Sequence, residues 1–363
     1  MLSIFCKQVS KSKCLIIVII VVFLVMLITG ITLLVLTCIK PCWLTRCHPK
    51  ASRCINRWPF KAQCICSEDT TGNGRTVCDE CGVKYDFPNA RIIGGENVTV
   101  NNWPFSALIR QHYQKLVFIN GEFRVISPTW MCGGTLINRR TILTASHCLK
   151  MAGDTFEYES FEYAILWNEF YPNIESSLEV SVGVYDRRKQ TRQQHVKVVQ
   201  VIRHPLFDEK NLHNDIALLK LADDLRPSRT IQFACLANSY LDVNLTGIAV
   251  GFGDTIPGAN QGSIFLQQVN LTIYPNEYCS NVATSIVKNW TMQLCCGDLQ
   301  GERDVCHGDS GGGLFIQRNI SSDNRYTVDG IVSYGEECAT PMKPSIYTRI
   351  SNYIDWIGEN SDF

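Results

Sequence analysis

A serine, a histidine and an aspartate in this chain stand in surroundings that suit nucleophilic catalysis. Ser310 lies in the run GDSGG, where small glycines let the backbone bend and approach a substrate closely. Its hydroxyl is a weak nucleophile at neutral pH and needs a base within hydrogen-bond reach. His147, in TASHC, could be that base, although a histidine beside a cysteine is more often structural. Asp215 precedes the strand-like run IALLKL and could orient the imidazole, although an aspartate there is usually solvated.

Further motifs surround these three residues in a fixed order. They are RIIGG from Arg91, CGGTLI from Cys132, GFGD from Gly251, IVSYGEEC from Ile331 and SIYTRI from Ser345. The ordered set resembles the trypsin-like, chymotrypsin-fold serine endopeptidases over about three quarters of the chain. The resemblance implies an all-β fold of two packed antiparallel β-barrels with the active site between them. A short C-terminal helix is predicted by the helical spacing of Ile350, Tyr353, Ile354 and Ile357.

The resemblance assigns roles to the catalytic residues. It makes His147 the general base, Asp215 the group that fixes the imidazole tautomer, and Ser310 the nucleophile. The backbone N–H groups of Gly308 and Ser310 would form the oxyanion hole. The order His, Asp, Ser matches this family and differs from the subtilisin and α/β-hydrolase orders. No cofactor or metal is expected, because the loop DRRKQTRQQ, at a frequent calcium position in the family, is too basic for a hard cation.

The resemblance also predicts substrate preference. Asp304, six residues before Ser310, corresponds to the base of the primary pocket, where a carboxylate favours Arg or Lys on the acyl side of the scissile bond. Val305 replaces a common hydroxyl residue that would help hold a lysine ammonium, so Arg is expected ahead of Lys. Ser345 replaces the usual glycine and is expected to narrow the pocket. The substrate-binding residues implied are Asp304, Ser333, Gly335 and Ser345.

Activation by proteolysis is a further implication of the resemblance. Cleavage after Arg91 by another protease would free the α-amine of Ile92, which in the family pairs with the aspartate before the nucleophile, here Asp309. A buried carboxylate without its partner costs about 3–5 kcal/mol, so the uncut chain is expected to be a zymogen. A Cys81–Cys235 disulfide would keep the cut domain attached to the preceding segment.

The remaining cysteines of the protease region also pair by resemblance. The pairs implied are Cys132–Cys148, Cys279–Cys295 and Cys306–Cys338. Cys296 is left over, and the sequence leaves open a free thiol, an intermolecular bridge, or pairing with Cys279 in place of Cys295.

An apolar segment near the N terminus predicts a membrane anchor. Residues 15–39 contain no charge over 25 positions, which is long enough to cross a bilayer and longer than the apolar core of a cleaved secretory signal. Lysines and arginines flank both ends, so charge does not decide the orientation. Cysteines and glycosylation sequons require an extracellular C-terminal side. This predicts a single-pass type II protein of the cell membrane with a cytosolic tail at 1–14, and leaves open whether it is shed. The sequons begin at Asn97, Asn244, Asn270, Asn289 and Asn319.

Six cysteines within residues 40–80 predict a small disulfide-stapled module. Its C-x-C, at the fourth and fifth cysteines, resembles an EGF-like domain. That family pairs Cys42–Cys54, Cys47–Cys64 and Cys66–Cys78, whereas spacing alone leaves 15 connectivities open. A rigid spacer and a ligand-binding module are the two alternatives for this stem. An activation linker at 81–91 and the protease domain at 92–363 follow.

Two insertions are particular to this chain. The first spans residues 111–129, and the second, which is rich in acidic residues, spans residues 151–179. The second is expected to be either a solvated surface loop or an exosite that attracts basic substrates or inhibitors. Its acids are Asp154, Glu157, Glu159, Glu162, Glu169, Glu175 and Glu179.

Composition limits the possible functions. The chain has 34 basic and 34 acidic residues among 363, which argues against a nucleic-acid partner. The expected partners are proteins or peptides with Arg or Lys at the cleavage site, an activating protease and protein protease inhibitors. The sequence therefore predicts a membrane-anchored serine endopeptidase, with a non-catalytic homologue acting in adhesion or as a decoy as the alternative.

Overall fold

The structure is a computed structural model. It describes residues 51–57, 61–66, 70–71, 79–84, 96–97, 103–119, 122–127, 129–151, 155–158, 161–166, 172–189, 194–237, 239–241, 243–320 and 323–361. Within these ranges no helix combines the length and apolar character needed to cross a membrane. The predicted anchor at 15–39, the cleavage site at Arg91 and Ile92, and side-chain pairing in the stem lie outside what is described.

The described part of the stem consists of short antiparallel strand pairs. β1 (Ala51–Arg57) pairs with β2 (Lys61–Cys66), and β3 (Thr70–Thr71) pairs with β4 (Asp79–Glu80). The second pair rests on the protease domain: the Asp79 carboxylate accepts hydrogen bonds from Arg139 Nε and Nη2 at 2.5 and 2.7 Å. The stem is therefore fixed to the domain that follows it by more than chain connectivity.

The first half of the protease domain is built on a seven-stranded sheet. Its spatial order is β14-β13-β6-β9-β10-β16-β15, with antiparallel neighbours throughout. The strands of this half, in chain order, are β5 (Glu96–Asn97), β6 (Ser106–His112), β7 (Gln114–Ile119), β8 (Glu122–Ile126), β9 (Thr129–Asn138), β10 (Thr141–Thr144), β11 (Thr155–Tyr158), β12 (Phe161–Leu166), β13 (Leu178–Val182), β14 (His195–Val196), β15 (Val198–Arg203) and β16 (Ala217–Leu221).

The two insertions pair with each other instead of forming separate surface loops. β7 and β8 come from the first insertion, and β11 and β12 from the second. They form a four-stranded antiparallel sheet in the order β11-β12-β7-β8. The strand residues of the acidic insertion are therefore part of a regular sheet, while its two alternative roles stay predictions. Glu179, its last acid, is also engaged internally, because Arg110 Nη1 donates to its Oε1 at 2.7 Å.

The second half closes into a barrel. Its strands are β17 (Cys235–Leu236), β18 (Thr246–Gly251), β19 (Gln267–Tyr274), β20 (Gln293–Gly297), β21 (Gly313–Ile320), β22 (Asp323–Tyr334) and β23 (Ser345–Arg349). The order β22-β21-β18-β19-β20-β23 returns to its start through the β22–β23 pairing. β5 pairs with β19, at the edge of this barrel. The expected fold of two packed, mainly antiparallel barrels is confirmed.

Helices are short in the described chain. α1 (Ile174–Ser177) is one turn, capped by the Asn173 side chain, which accepts from the Ser176 N–H at 2.8 Å. α2 (Ile354–Asn360) is the predicted C-terminal helix, and it buries Ile357. Fully described 3-10 turns lie at Ser146–Cys148, Asn276–Cys279 and Ile350–Asn352.

Candidate active site

Strand pairing brings the predicted base and its orienting acid together. β10 and β16 are adjacent antiparallel strands, and Thr144 at the end of one pairs with Ala217 at the start of the other. His147 follows β10 and Asp215 precedes β16, so they meet at one edge of the sheet. β16 (ALLKL) is wholly buried, Lys220 included, as suits a mainly apolar run. The interior of the first barrel therefore fixes the position of Asp215.

Asp215 is fully buried and holds the imidazole from two directions. Its Oδ2 lies 2.7 Å from His147 Nδ1, and its Oδ1 accepts the His147 backbone N–H at 2.9 Å. Ser333 Oγ, from β22 of the second barrel, donates to Oδ2 at 2.6 Å. Burial opposes ionisation of Asp215, but the attraction to His147 and these hydrogen bonds hold the carboxyl pKa below its ordinary value.

His147 is fixed by its neighbours in the 3-10 turn Ser146–Cys148. Ser146 Oγ donates to the Ile216 carbonyl at 2.6 Å, which ties the turn to the start of β16. Cys148 forms a disulfide with Cys132 on β9. With Nδ1 facing the carboxylate, the Nε2 atom is left as the acceptor that a general base requires.

Ser310 lies on a tight loop between Cys306 and β21. Gly308 has a φ of +100° and Gly311 a φ of +77°, conformations that favour glycine. The Ser310 carbonyl accepts the Gly133 N–H at 2.7 Å, which ties the loop to β9 in the first barrel. Within the described residues, Ser310 Oγ and His147 Nε2 are not joined by a hydrogen bond of 3.5 Å or less. Such bonds in proteases often shorten only when substrate is bound.

Asp309, beside the predicted nucleophile Ser310, is a carboxyl without a cationic partner among the described residues. It accepts the Gly253 and Cys306 N–H groups at 2.7 and 3.0 Å. Burial raises its pKa to about 6, despite those two bonds. It borders a cavity of about 560 Å³, whose lining includes Gly251, Gly253, Asp254, Asp304 and Asp309. The cavity has room for a cationic group, and the Asp309 carboxylate at its border is placed to pair with one.

Asp304 lines this same cavity. Its Oδ1 accepts the Val305 N–H at 2.8 Å and Ser345 Oγ at 3.0 Å, and its Oδ2 accepts the Ala339 N–H at 3.0 Å. Burial raises the pKa of the Asp304 carboxyl. Ser345 also faces Gly335, where an added β-carbon would lie 2.9 Å from Ser345 Oγ. The serine hydroxyl therefore occupies one acceptor position of the Asp304 carboxylate.

Disulfides in the described chain join Cys81–Cys235, Cys132–Cys148, Cys279–Cys295 and Cys306–Cys338. Cys296 is a free, buried thiol whose pKa is raised by burial and by the charge of Asp304. It lies on β20 opposite Ser345 on β23, so an intermolecular bridge would require this strand pair to open.

The sequence reasoning missed two contacts of the site. Ser333, which the resemblance places among the substrate-binding residues, also donates its hydroxyl to Asp215, and Thr348 Oγ1 donates to the Asp215 carbonyl at 2.9 Å. Both come from the second barrel, more than 100 residues from Asp215. No local pattern in the sequence signals them, because they depend on how the two barrels meet.

Comparison with known proteins agrees with this geometry. The family model described as Trypsin matches residues 92–357. Serine protease filzig of Drosophila melanogaster is 30% identical over 287 residues, covering 77% of this chain and 15% of the relative. CLIP domain-containing serine protease B4 of Anopheles gambiae is 30% identical over 318 residues, covering 82% and 77%. Transmembrane protease serine 5 of Homo sapiens is 28% identical over 287 residues, covering 78% and 54%.

The chain thus spans less than two thirds of filzig and of the human relative, and more than two thirds of the mosquito protease. The family match extends over most of the protease region and includes the loops that carry His147, Asp215 and Ser310. The chain belongs to the trypsin family and is a serine endopeptidase.

Proposed function

We propose that this chain is a membrane-anchored zymogen which, once cleaved after Arg91, hydrolyses peptide bonds after Arg and less well after Lys. The observation that carries the proposal is the bond from His147 Nδ1 to the buried Asp215 carboxylate, next to the loop that presents Ser310. The test is cleavage of arginine and lysine peptides by the cut chain, with Ser310→Ala as the inactive reference. A cut wild-type chain as inactive as Ser310→Ala would favour the non-catalytic homologue.

In the proposed reaction Ser310 Oγ attacks the carbonyl carbon of the scissile bond while His147 Nε2 takes the hydroxyl proton. Asp215 stabilises the resulting imidazolium, and the Gly308 and Ser310 N–H groups stabilise the oxyanion. The imidazolium then protonates the leaving amine, and an acyl-enzyme remains on Ser310. Water, activated by the neutral His147, releases the acid and restores the serine.

Preference for arginine is supported by Asp304 and its surroundings. A guanidinium forms directional bonds to a carboxylate, and the aliphatic Val305 offers no hydroxyl to hold an ammonium. Ser345 Oγ competes for Oδ1, so the arginine would bind mainly through Oδ2. We therefore expect the preference for Arg to be limited by Ser345.

Replacing Ser345 with glycine should raise kcat/KM for arginine peptides about tenfold and for lysine peptides less, because it frees Asp304 Oδ1 and widens the pocket. Ser345→Ala separates the two causes, since it removes the hydroxyl and keeps the β-carbon. The measurement is a paired set of fluorogenic peptides that differ only in Arg or Lys. Equal gains for both peptides would contradict the proposed role of Oδ1.

The cut enzyme is proposed to remain joined to its stem. The Cys81–Cys235 disulfide bridges 154 residues across the Arg91 site. Gly82 supports the same connection, because its N–H donates to the Phe233 carbonyl at 2.7 Å and its carbonyl accepts the Tyr326 N–H at 2.9 Å. The stem would thus hold the protease at the membrane after activation.

Denaturing gels should show wild-type protein, cleaved after Arg91, as one band without reductant and as two bands with it. The Cys81→Ser/Cys235→Ser double variant should give two bands in both cases, and an uncleavable Arg91→Gln variant one band in both. Wild-type fragments that separate without reductant would show that this disulfide does not link the two chains.

Placement at the cell surface is supported by several features. The apolar segment 15–39 is long enough for an anchor, and one relative is named a transmembrane protease. The sequon asparagines Asn244, Asn270 and Asn319 are exposed, as glycan acceptors must be. An EGF-like stem and inhibition by protein protease inhibitors belong to the same proposal.

A further inference from the structure

Met131 borders the oxyanion hole on the side where the leaving group departs. It immediately precedes Cys132, whose disulfide partner Cys148 has its sulfur 3.9 Å from His147 Nε2. Because His147 protonates the leaving amine, its side of the cleft is the leaving-group side. A β-carbon added to Gly308 would lie 2.6 Å from Met131 Cε. The Met131 side chain therefore forms a wall directly beyond the scissile bond.

Arg187 lies on the far side of that methionine. Its Nη1 is 3.5 Å from Met131 Sδ, and its Nη2 donates to the Gln261 carbonyl and, at 3.2 Å, to that of Gly262. A β-carbon added to Gly262 would lie 2.6 Å from Met131 Cε and 3.3 Å from Arg187 Nη1. These contacts fix the guanidinium one methionine side chain away from Gly308.

The charge of Arg187 is not balanced by any carboxylate in contact with it among the described residues. Neighbouring basic groups differ: Arg188 pairs with Asp186 at 2.9 Å, and Arg110 pairs with Glu179 at 2.7 Å. The nearby Asp254 carboxylate already accepts the Asn260, Gln261 and Gly262 N–H groups. Burial and the charge of Arg110 lower the pKa of Arg187 by more than the charge of Asp254 raises it, so a bound anion would stabilise the charged form of Arg187.

The guanidinium also retains unused donors. A guanidinium carries five N–H groups, and the contacts to Met131, Gln261 and Gly262 use three of them. The N–H on Nε and the second on Nη1 have no partner in the part of the chain that the structure describes. These two N–H groups do not converge on one edge of the guanidinium, but either can give a carboxylate one charge-assisted hydrogen bond.

We propose that Arg187 is a specificity residue that binds an acidic side chain at the second substrate residue after the scissile bond. The path from Gly308 to the guanidinium runs through Met131, with 2.6 Å from an added Gly308 β-carbon to Cε and 3.5 Å from Sδ to Arg187 Nη1. Extended peptide advances about 3.3 Å per residue, so this path corresponds to roughly two residues. This inference rests on the proposed endopeptidase function and adds a second charge requirement: a basic residue before the bond and an acidic residue after it.

The test uses the full chain, cleaved after Arg91, and internally quenched peptides that differ only in Asp or Asn at the second position after the bond. Wild type should cleave the Asp peptide with a kcat/KM about five- to tenfold higher. Arg187→Gln should bring the ratio to about one, and Arg187→Lys should retain part of it. Arg188→Gln, the matched control with a balanced arginine, should behave as wild type.

A ratio near one in wild type would overturn the inference. The inference would also be overturned if Arg187→Gln lowered kcat/KM for both peptides equally. That result would indicate that Arg187 only stabilises the loop at Gln261 and Gly262. If neither peptide is cleaved, the proposed function fails, and the subsite is then decided by binding. In cleaved Ser310→Ala, fluorescence anisotropy should show about five- to tenfold tighter binding of the Asp peptide, and equal affinities would overturn the inference.

Discussion

Replacing Asp215 with asparagine should lower kcat about 10⁴-fold, the size of the effect measured for the equivalent change in a related trypsin triad. The asparagine amide would face His147 Nδ1 with a donor in place of an acceptor. The imidazole would then carry its proton on Nε2, where it cannot accept the Ser310 proton. Fold and substrate binding should change little, because the amide has nearly the shape of the carboxylate.

The measurement is kcat for an arginine peptide with the cut Asp215→Asn chain, checked by an unchanged thermal midpoint. Ser333→Ala is the matched control, since it removes one neutral donor to Asp215 and leaves the carboxylate and the bond to His147. It should cost about tenfold. An Asp215→Asn chain that keeps a tenth or more of wild-type kcat would contradict the assigned role.

Replacing Asp309 with asparagine should lower the activity of the cut chain by about 10²–10³-fold. The proposed new amine at Ile92 would lose its charged partner, and breaking a buried ion pair costs about 3–5 kcal/mol. The same substitution should increase the stability of the uncut chain at neutral pH. In that chain Asp309 is a buried carboxylate without a cationic partner among the described residues.

The pH dependence of the free energy of unfolding tests the role of Asp309 in the uncut chain. In the uncut chain burial raises the pKa of Asp309 from 3.8 to about 6, so folding favours the protonated form. Its contribution to the free energy of unfolding is full below about pH 4 and is lost as the pH rises through about 6, a change of about 3 kcal/mol.

Urea unfolding of the uncleavable Arg91→Gln chain from pH 4 to 8 provides the measurement. Adding Asp309→Asn should remove this part of the pH dependence and leave the double variant more stable at pH 7. Parallel stability curves for the two chains would contradict the proposed role of Asp309 in the zymogen.

The protease fold was predictable because the ordered motifs resemble a known family. The structure shows that several of these motifs lie at strand ends that the barrels bring together. His147 and Asp215 each lie within three residues of paired strands, so the β10–β16 pairing alone makes them neighbours. The C-terminal helix followed from apolar spacing over a few residues. Such features are local, or depend on one strand pairing.

Contacts between distant segments were not predictable in this way. The pairing of β7 with β12 joins two insertions, each of which looks like a separate surface loop in the sequence. The bond from Ser345 Oγ to Asp304 and the position of Arg187 beside Met131 depend on which strands and loops adjoin the cleft. The membrane anchor and the disulfides of the stem remain predictions from the sequence.

The most direct test of the account is covalent labelling with a fluorophosphonate, which reacts with an activated serine. The full chain should be treated before and after cleavage at Arg91, and the labelled peptide identified by mass spectrometry. The account predicts phosphonylation of Ser310 in the cut chain, little in the uncut chain, and none in cut Asp215→Asn over the same time. No label on Ser310 after confirmed cleavage, or equal labelling before and after it, would contradict the account.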